Sequence, residues 1–346
     1  MIRPGSWLLP VLLGTLGGAL GCTGSEPSNE LAKMPDLVYT EHDESNGSWT
    51  IFGYWEGEGA REIAPGPAAL PRPVYDFLLV RPTTGELLYQ TLDPEWGYIL
   101  LNPASGQFRR LELPGQVQDW SPTGDLLTTV LWDVHLVVTM DGAVRATVCS
   151  PPVTCGVHHW APRGDALVGF REPAGGDADL WRVPMDGGPE RNLTKTAFIS
   201  EIGGFYSPDG QYLAYWRRPY LDLVVANADG GDARPLIAPI GFSNFSWSPY
   251  GGRVALDAMV GDQGGVVLVS LAGDPPRLIT PPGENLNHFS DISWSPDGGR
   301  LVYGALDGTA RNGPGVFVIN VDGSGRRQLS TPGGIASRAA WIPDVP

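Results

Sequence analysis

Long hydrophobic runs are nearly missing from this chain. The one apolar stretch of any length, Trp7 to Leu20, is about 14 residues, whereas a membrane-spanning helix needs about 20. Basic charge is also scarce. Against 38 Asp plus Glu stand 23 Lys plus Arg, a formal net charge of −15, and a nucleic-acid partner is excluded because phosphate binding needs a basic footprint that releases counterions. Familiar catalytic signatures are missing too. There is no Gly-x-Ser-x-Gly elbow, no Gly-x-Gly-x-x-Gly between a strand and a helix, no phosphate-binding loop and no His-Glu-x-x-His. Turn formers, by contrast, abound. With 47 Gly and 33 Pro the chain excludes a helical bundle or coiled coil, and 12 Trp among 42% hydrophobic residues exclude disorder. A turn-rich globular protein remains.

Residues 1–21 have a cationic start at Arg3, the short apolar stretch and a small residue, Gly21, before Cys22, which is the layout of a secretory signal peptide. The segment Ala19-Leu20-Gly21-Cys22 resembles the lipobox of bacterial lipoproteins. That resemblance implies acylation of Cys22 and, through Thr23, an outer-membrane lipoprotein of the bacterial envelope facing the periplasm or the cell surface. Acyl chains on one residue anchor a protein durably, at about 0.8 kcal/mol per buried methylene. Residues 22–35 are small, polar and aperiodic, which predicts a flexible tether. Cys149 and Cys155 are the other cysteines, and an oxidising compartment would let them close a small loop over Pro151 and Pro152 as a structural disulfide.

The remainder is repetitive. Trp120-Ser121-Pro122-Thr123-Gly124, Trp160-Ala161-Pro162-Arg163-Gly164, Tyr206-Ser207-Pro208-Asp209-Gly210, Trp247-Ser248-Pro249-Tyr250-Gly251 and Trp294-Ser295-Pro296-Asp297-Gly298 are copies of one turn. A degenerate copy lies around Pro82 and a truncated one, Trp341-Ile342-Pro343-Asp344, near the last residue. The seven prolines recur every 40 to 47 residues. Each is followed by an apolar run, a second run ending in a tight turn such as Asp141-Gly142, Asp229-Gly230 or Asp322-Gly323, and a third run. Gly accepts the positive φ of such hairpins, and β-branched runs such as Val316-Phe317-Val318-Ile319 suit pleated strands. Four strands per unit at this period predict the blades of an all-β propeller.

The run from Trp294 to Leu301, with Val321-Asp322-Gly323-Ser324-Gly325 after it, resembles the WD-like repeat of TolB-type propellers. The likeness covers residues 75–344, implies the fold and leaves activity open. TolB-type propellers are commonly six-bladed, and six is the alternative count here. Seven is favoured. Residues 36–63 supply three strands without a first, and the last markers supply a first strand ending at Trp341. Pairing the N- and C-terminal strands of a 36–346 propeller domain completes a seventh blade and removes exposed edges.

In a propeller the first strand of each blade lies next to the axis. Its polar members are Asp76, Asp119, His158, His159, Glu201, Asn244, Asp291 and Arg338, which predicts a ligand-binding set at the central channel. The adjacent pair His158-His159 points to opposite faces of a strand and does not predict a metal site; no metal, no cofactor and no catalytic set is expected. The loops around Gly175-Gly176-Asp177, Asp262-Gln263 and Gly308 to Gly315 form a second candidate surface. The function expected is a non-enzymatic, lipid-anchored, monomeric scaffold binding an envelope protein or peptide. The alternative is a hydrolase or lyase acting on a glycan or peptide at the channel mouth, with Asp119, His159, Asp291 and Arg338 suspected.

Overall fold

The computed structural model describes residues 33–344 apart from 44–47, 64–72, 92–96, 157, 220–221, 238–244, 282–283, 287–291, 307–313 and 333–334. The described residues form β-strands and turns with no helix, arranged as seven antiparallel sheets, the blades of a β-propeller. Blades 1 to 6 take their strands in sequence order from residues 73–111, 116–149, 154–192, 200–237, 245–278 and 285–328. Blade 7 is composite. Its inner strand is Ile335–Trp341, which pairs antiparallel with Leu37–Asp43, followed by Ser48–Trp55 and Gly59–Glu62. Leu37 lies opposite Trp341 and His42 opposite Ile335.

Seven apolar clusters hold the ring. Each joins facing sheets of two neighbouring blades, and the set includes blades 6 and 7 through Val302, Val316, Tyr39 and Trp341, and blades 7 and 1 through Val38, Trp55, Leu87 and Ile99. Middle strands are therefore apolar on both faces. Val254-Ala255-Leu256 and Val266-Val267-Leu268 are buried without interruption, as expected where a sheet is covered on both sides. The ring is closed by pairing and packing between the two ends of the described chain.

The repeated turn explains its own sequence. In Ser121, Ser207 and Ser295 the backbone N–H donates across the turn to Leu126, Tyr212 and Arg300 at 2.9 Å. The same serines' Oγ atoms accept the N–H groups of those three residues at 2.9–3.0 Å. The glycine three places on donates back to the serine carbonyl at 2.8 Å with φ of 64° to 71°, a left-handed backbone that Gly adopts without a Cβ penalty. Pro at the intervening position presets φ for the turn. Two of the motif tryptophans then hydrogen-bond to the neighbouring blade: Trp294 Nε1 donates to the Ser246 carbonyl at 3.1 Å, and Trp247 Nε1 to that of Phe205 at 3.3 Å.

Alternating strand direction divides the ring into two faces. The Trp-Ser-Pro turns and the Asp-Gly hairpins share one, the turn face. The hairpins between second and third strands share the other with the connections between blades; this is the loop face.

Candidate functional site

The inner strands position the site. In the blades that carry a motif aromatic, the residue just before it occupies an equivalent place on the inner strand. Three consecutive blades put Asp119, His159 and Phe205 there, and the three meet. Asp119 Oδ1 accepts the Trp120 N–H at 2.8 Å, and Oδ2 faces His159 Nδ1 at 3.4 Å. The His159 ring stacks on Phe205 with centroids 3.9 Å apart, and Phe205 meets Phe245 of the next blade edge-on at 5.0 Å. Both polar members remain open to solvent, with side chains 35% (Asp119) and 21% (His159) exposed.

Bulges border Asp119 and Phe205, and a third lies on the closing strand. The register shifts between Val117 and Asp119, between Ile202 and Phe205, and opposite Val38 to Thr40, where Arg338 adopts φ of 43°. An extra residue bends a strand and re-aims the side chains beyond it. On three adjacent inner strands Asp119, His159 and Phe205 make an arc with one acidic end and one aromatic end, and Phe205 abuts Phe245, which is half-buried against the core between blades 4 and 5. An aspartate against Nδ1 orients an imidazole and leaves Nε2 for a ligand or a proton.

Two other sequence candidates are buried instead of open. His158 is 1% exposed, and its ring meets His135 of blade 2 with the Nδ1 atoms 3.3 Å apart. Desolvation first, then the charges of His135, Arg171 and His159, push its pKa down to about 3, so the ring is neutral. Burial also lowers His135, against the carbonyl of Cys155. Cys149 and Cys155 are joined as a disulfide with Cα atoms 6.5 Å apart, closing a loop next to this histidine pair. Glu201 is 1% exposed. Its Oε1 accepts from the Thr196 hydroxyl, its Oε2 has no partner among the described residues, and burial raises its pKa.

Arg338 lies half-buried on the closing strand. Asp76 lies on the inner strand Pro73–Val80 of blade 1, with its side chain outside the described set. Asn244, Asp291, Cys22 and the loop from Gly308 fall outside the described residues. His135, Phe205 and Phe245 were not among the sequence candidates. Phe205 was findable, since it precedes Tyr206 as Asp119 precedes Trp120; His135, alone in an apolar strand, carried no signal. Among the described residues no group of three or more His, Cys, Asp or Glu is placed to hold a metal, and no helix is long and apolar enough to cross a membrane. Two surface clefts of about 360 and 430 Å³ open on the turn face, neither lined by Asp119, His159 or Phe205.

The chain matches no known family model and no curated protein sequence. Its fold does match solved structures. TolB from Acinetobacter baumannii superposes with a TM-score of 0.51 at 14% identity, over 89% of this chain and 66% of that one. Oligogalacturonate lyase from Vibrio parahaemolyticus gives 0.61 at 15%, over 86% and 87%. Puromycin hydrolase gives 0.61 at 15%, over 87% of this chain and 53% of that one. The chain thus spans about two thirds of the TolB and half of the hydrolase. At such identities the likeness establishes the fold: a seven-bladed propeller, TolB-like in architecture.

Proposed function

We propose that this chain is a non-enzymatic propeller, lipid-anchored to the bacterial envelope through Cys22, that binds a protein or peptide segment at the mouth of its central channel. The arc of Asp119, His159 and Phe205 carries the reading. It combines a carboxylate acceptor, an imidazole with Nε2 free to hydrogen-bond and an apolar ring backed by Phe245 on rigid strands, the mix of anchors that a bound segment needs. TolB among the fold neighbours is consistent with it. The test is cross-linked capture from envelopes using the full chain, its Cys22→Ala variant and a His159→Ala variant. A stoichiometric partner is expected with the full chain, and it should be depleted in both variants. An empty capture removes the reading.

One observation favours a second reading. An aspartate against the Nδ1 of a partly exposed histidine is also how a general base is oriented, and oligogalacturonate lyase and puromycin hydrolase share the fold. In that reading the chain is a lyase or hydrolase acting on a glycan or peptide. Turnover of an oligogalacturonate or of an aminoacyl amide, abolished by His159→Ala and reduced by Asp119→Asn, would establish it.

A further inference from the structure

Most of the large exposed apolar side chains lie on one face. Leu131, Trp132, Phe198, Met259 and Leu306 all sit in loop-face hairpins, strand ends or connections. The two aromatics among them are the most exposed, Trp132 at 88% and Phe198 at 91%. Both are held at left-handed backbone, φ of 50° and 64°, which L residues with bulky side chains adopt at a cost. Trp132 and Asp133, with φ of 64°, form the whole tip of a two-residue hairpin, where Asn-Gly would be preferred. A backbone strained to display an aromatic is a feature that stability alone does not select.

Each aromatic also has a carboxylate beside it. Asp133 follows Trp132 at the tip, and Asp177 Oδ2 accepts the N–H of Phe198 at 2.8 Å. Among the described residues, the exposed acids Asp133, Glu172, Asp177 and Asp262 outnumber the exposed cations Lys195 and Arg218 on these loops. An aromatic face next to a carboxylate is a receptor for an ammonium or guanidinium group, through cation–π and ionic attraction together. The chain enters the ring on the opposite face, at Lys33–Asp36, which keeps this segment clear of the tips.

We propose that the loop face is a docking surface for a cationic, partly apolar segment of a protein partner, gripped by the pairs Trp132 with Asp133 and Phe198 with Asp177. The proposal rests on the partner-binding reading above and names the partner's chemistry. The probe is a fluorescein-labelled octapeptide of alternating Arg and Leu, with its Glu-Leu counterpart, titrated against the full chain in detergent micelles. Binding is expected for the Arg-Leu peptide alone, weakening with salt. Trp132→Ser, Phe198→Ser and Asp133→Asn should each lower affinity at least fivefold, while the turn-face variants Asp186→Asn and Asp274→Asn, which remove the same charge, stay within twofold. No binding, or equal losses from both faces, overturns the proposal. So does binding to phosphatidylcholine vesicles that Trp132→Ser removes, without peptide binding. Envelope capture separates the two ideas. A partner recovered equally by wild type and by the Trp132→Ser, Phe198→Ser double variant removes this surface and leaves the scaffold reading. If wild type recovers none, the scaffold reading falls while the peptide titration still decides this one.

Discussion

The two faces of this ring were built under different constraints. On the turn face much of the repeat satisfies itself: serine hydroxyls close turns at Ser121, Ser207 and Ser295, glycines take most of the left-handed positions, and Trp247 and Trp294 hook onto the neighbouring blade, while the buried indoles of Trp120, Trp160 and Trp341 have no partner among the described residues. On the loop face glycines such as Gly115, Gly175 and Gly261 share the left-handed positions with Trp132, Asp133, Lys195 and Phe198, two of them aromatics in water, whereas the turn face has Asp232 alone among non-glycines and one strongly exposed aromatic, Tyr250. Repetition follows from stability, and departures from it follow from use. Any experiment that makes the faces respond alike would break that distinction.

The largest expected effect concerns closure. Deleting residues 338–346 removes most of the inner strand of blade 7 with Ala339, Trp341 and Ile342 from the core, and exposes the edge of Leu37–Asp43. Loss of the cooperative melt is expected, and a truncated chain melting as sharply as the whole would refute closure by the two ends. Next comes a pair of identical substitutions on opposite faces. Trp294→Ala removes a buried indole and its bond to Ser246, and should cost about 3–5 kcal/mol in chemical denaturation. Trp132→Ala removes an exposed indole, and its effect should stay within about 0.5 kcal/mol.

The fold was legible in the sequence because it is periodic. Every blade carries a version of the Trp-Ser-Pro-x-Gly turn, whole in three and varied in the others, because the turn's hydrogen bonds favour it, so the count of seven and the split blade follow from seven prolines. The candidate site was legible only in part. Asp119 and His159 stand before a motif tryptophan, and their meeting follows from the repeat. His158 and Glu201 belong to the same inner stretches, yet both side chains are buried, and which of two neighbouring polar residues lines the channel is not marked in one sequence. The aromatic tips were hidden for another reason. Trp132-Asp133 reads as part of a strand until its backbone angles are known.

The buried candidates also make the stability of the ring depend on pH. An unfolded histidine titrates near 6.5, and His158 in the fold near 3, so the neutral ring contributes its stability in full above the unfolded value. That contribution is lost as pH falls from about 6.5 towards 3, at up to about 1.4 kcal/mol per pH unit. Thermal melts through this window should show the slope, and His158→Gln should flatten it. Glu201 has the opposite sign. With a folded pKa raised by burial, its contribution is full below the unfolded value and is lost as pH rises through the folded one. Glu201→Gln should therefore gain stability at neutral pH relative to wild type and none at pH 4. A gain of equal size at both would mean that the charge is not the cause.

A small effect is the most discriminating. Replacing Trp132-Asp133 by Asn-Gly gives the hairpin between Leu126–Leu131 and Val134–Thr139 the residues its angles call for. Nothing buried is lost, since the indole is 88% exposed. The unfolded chain gains some freedom from the added glycine, while relief of two left-handed side-chain residues favours the fold. The balance should stabilise the protein by about 1 kcal/mol, read as a rise in the denaturation midpoint with an unchanged m-value. The same change at a turn-face tip, Asp229-Gly230 to Asn-Gly, should do nothing, because that turn already has the glycine it needs, at φ of 88°. If the loop-face replacement stabilises the protein while abolishing binding of the cationic peptide, the strain at Trp132 is maintained for recognition. If it destabilises, the indole supports the fold after all, and the two faces obey one rule.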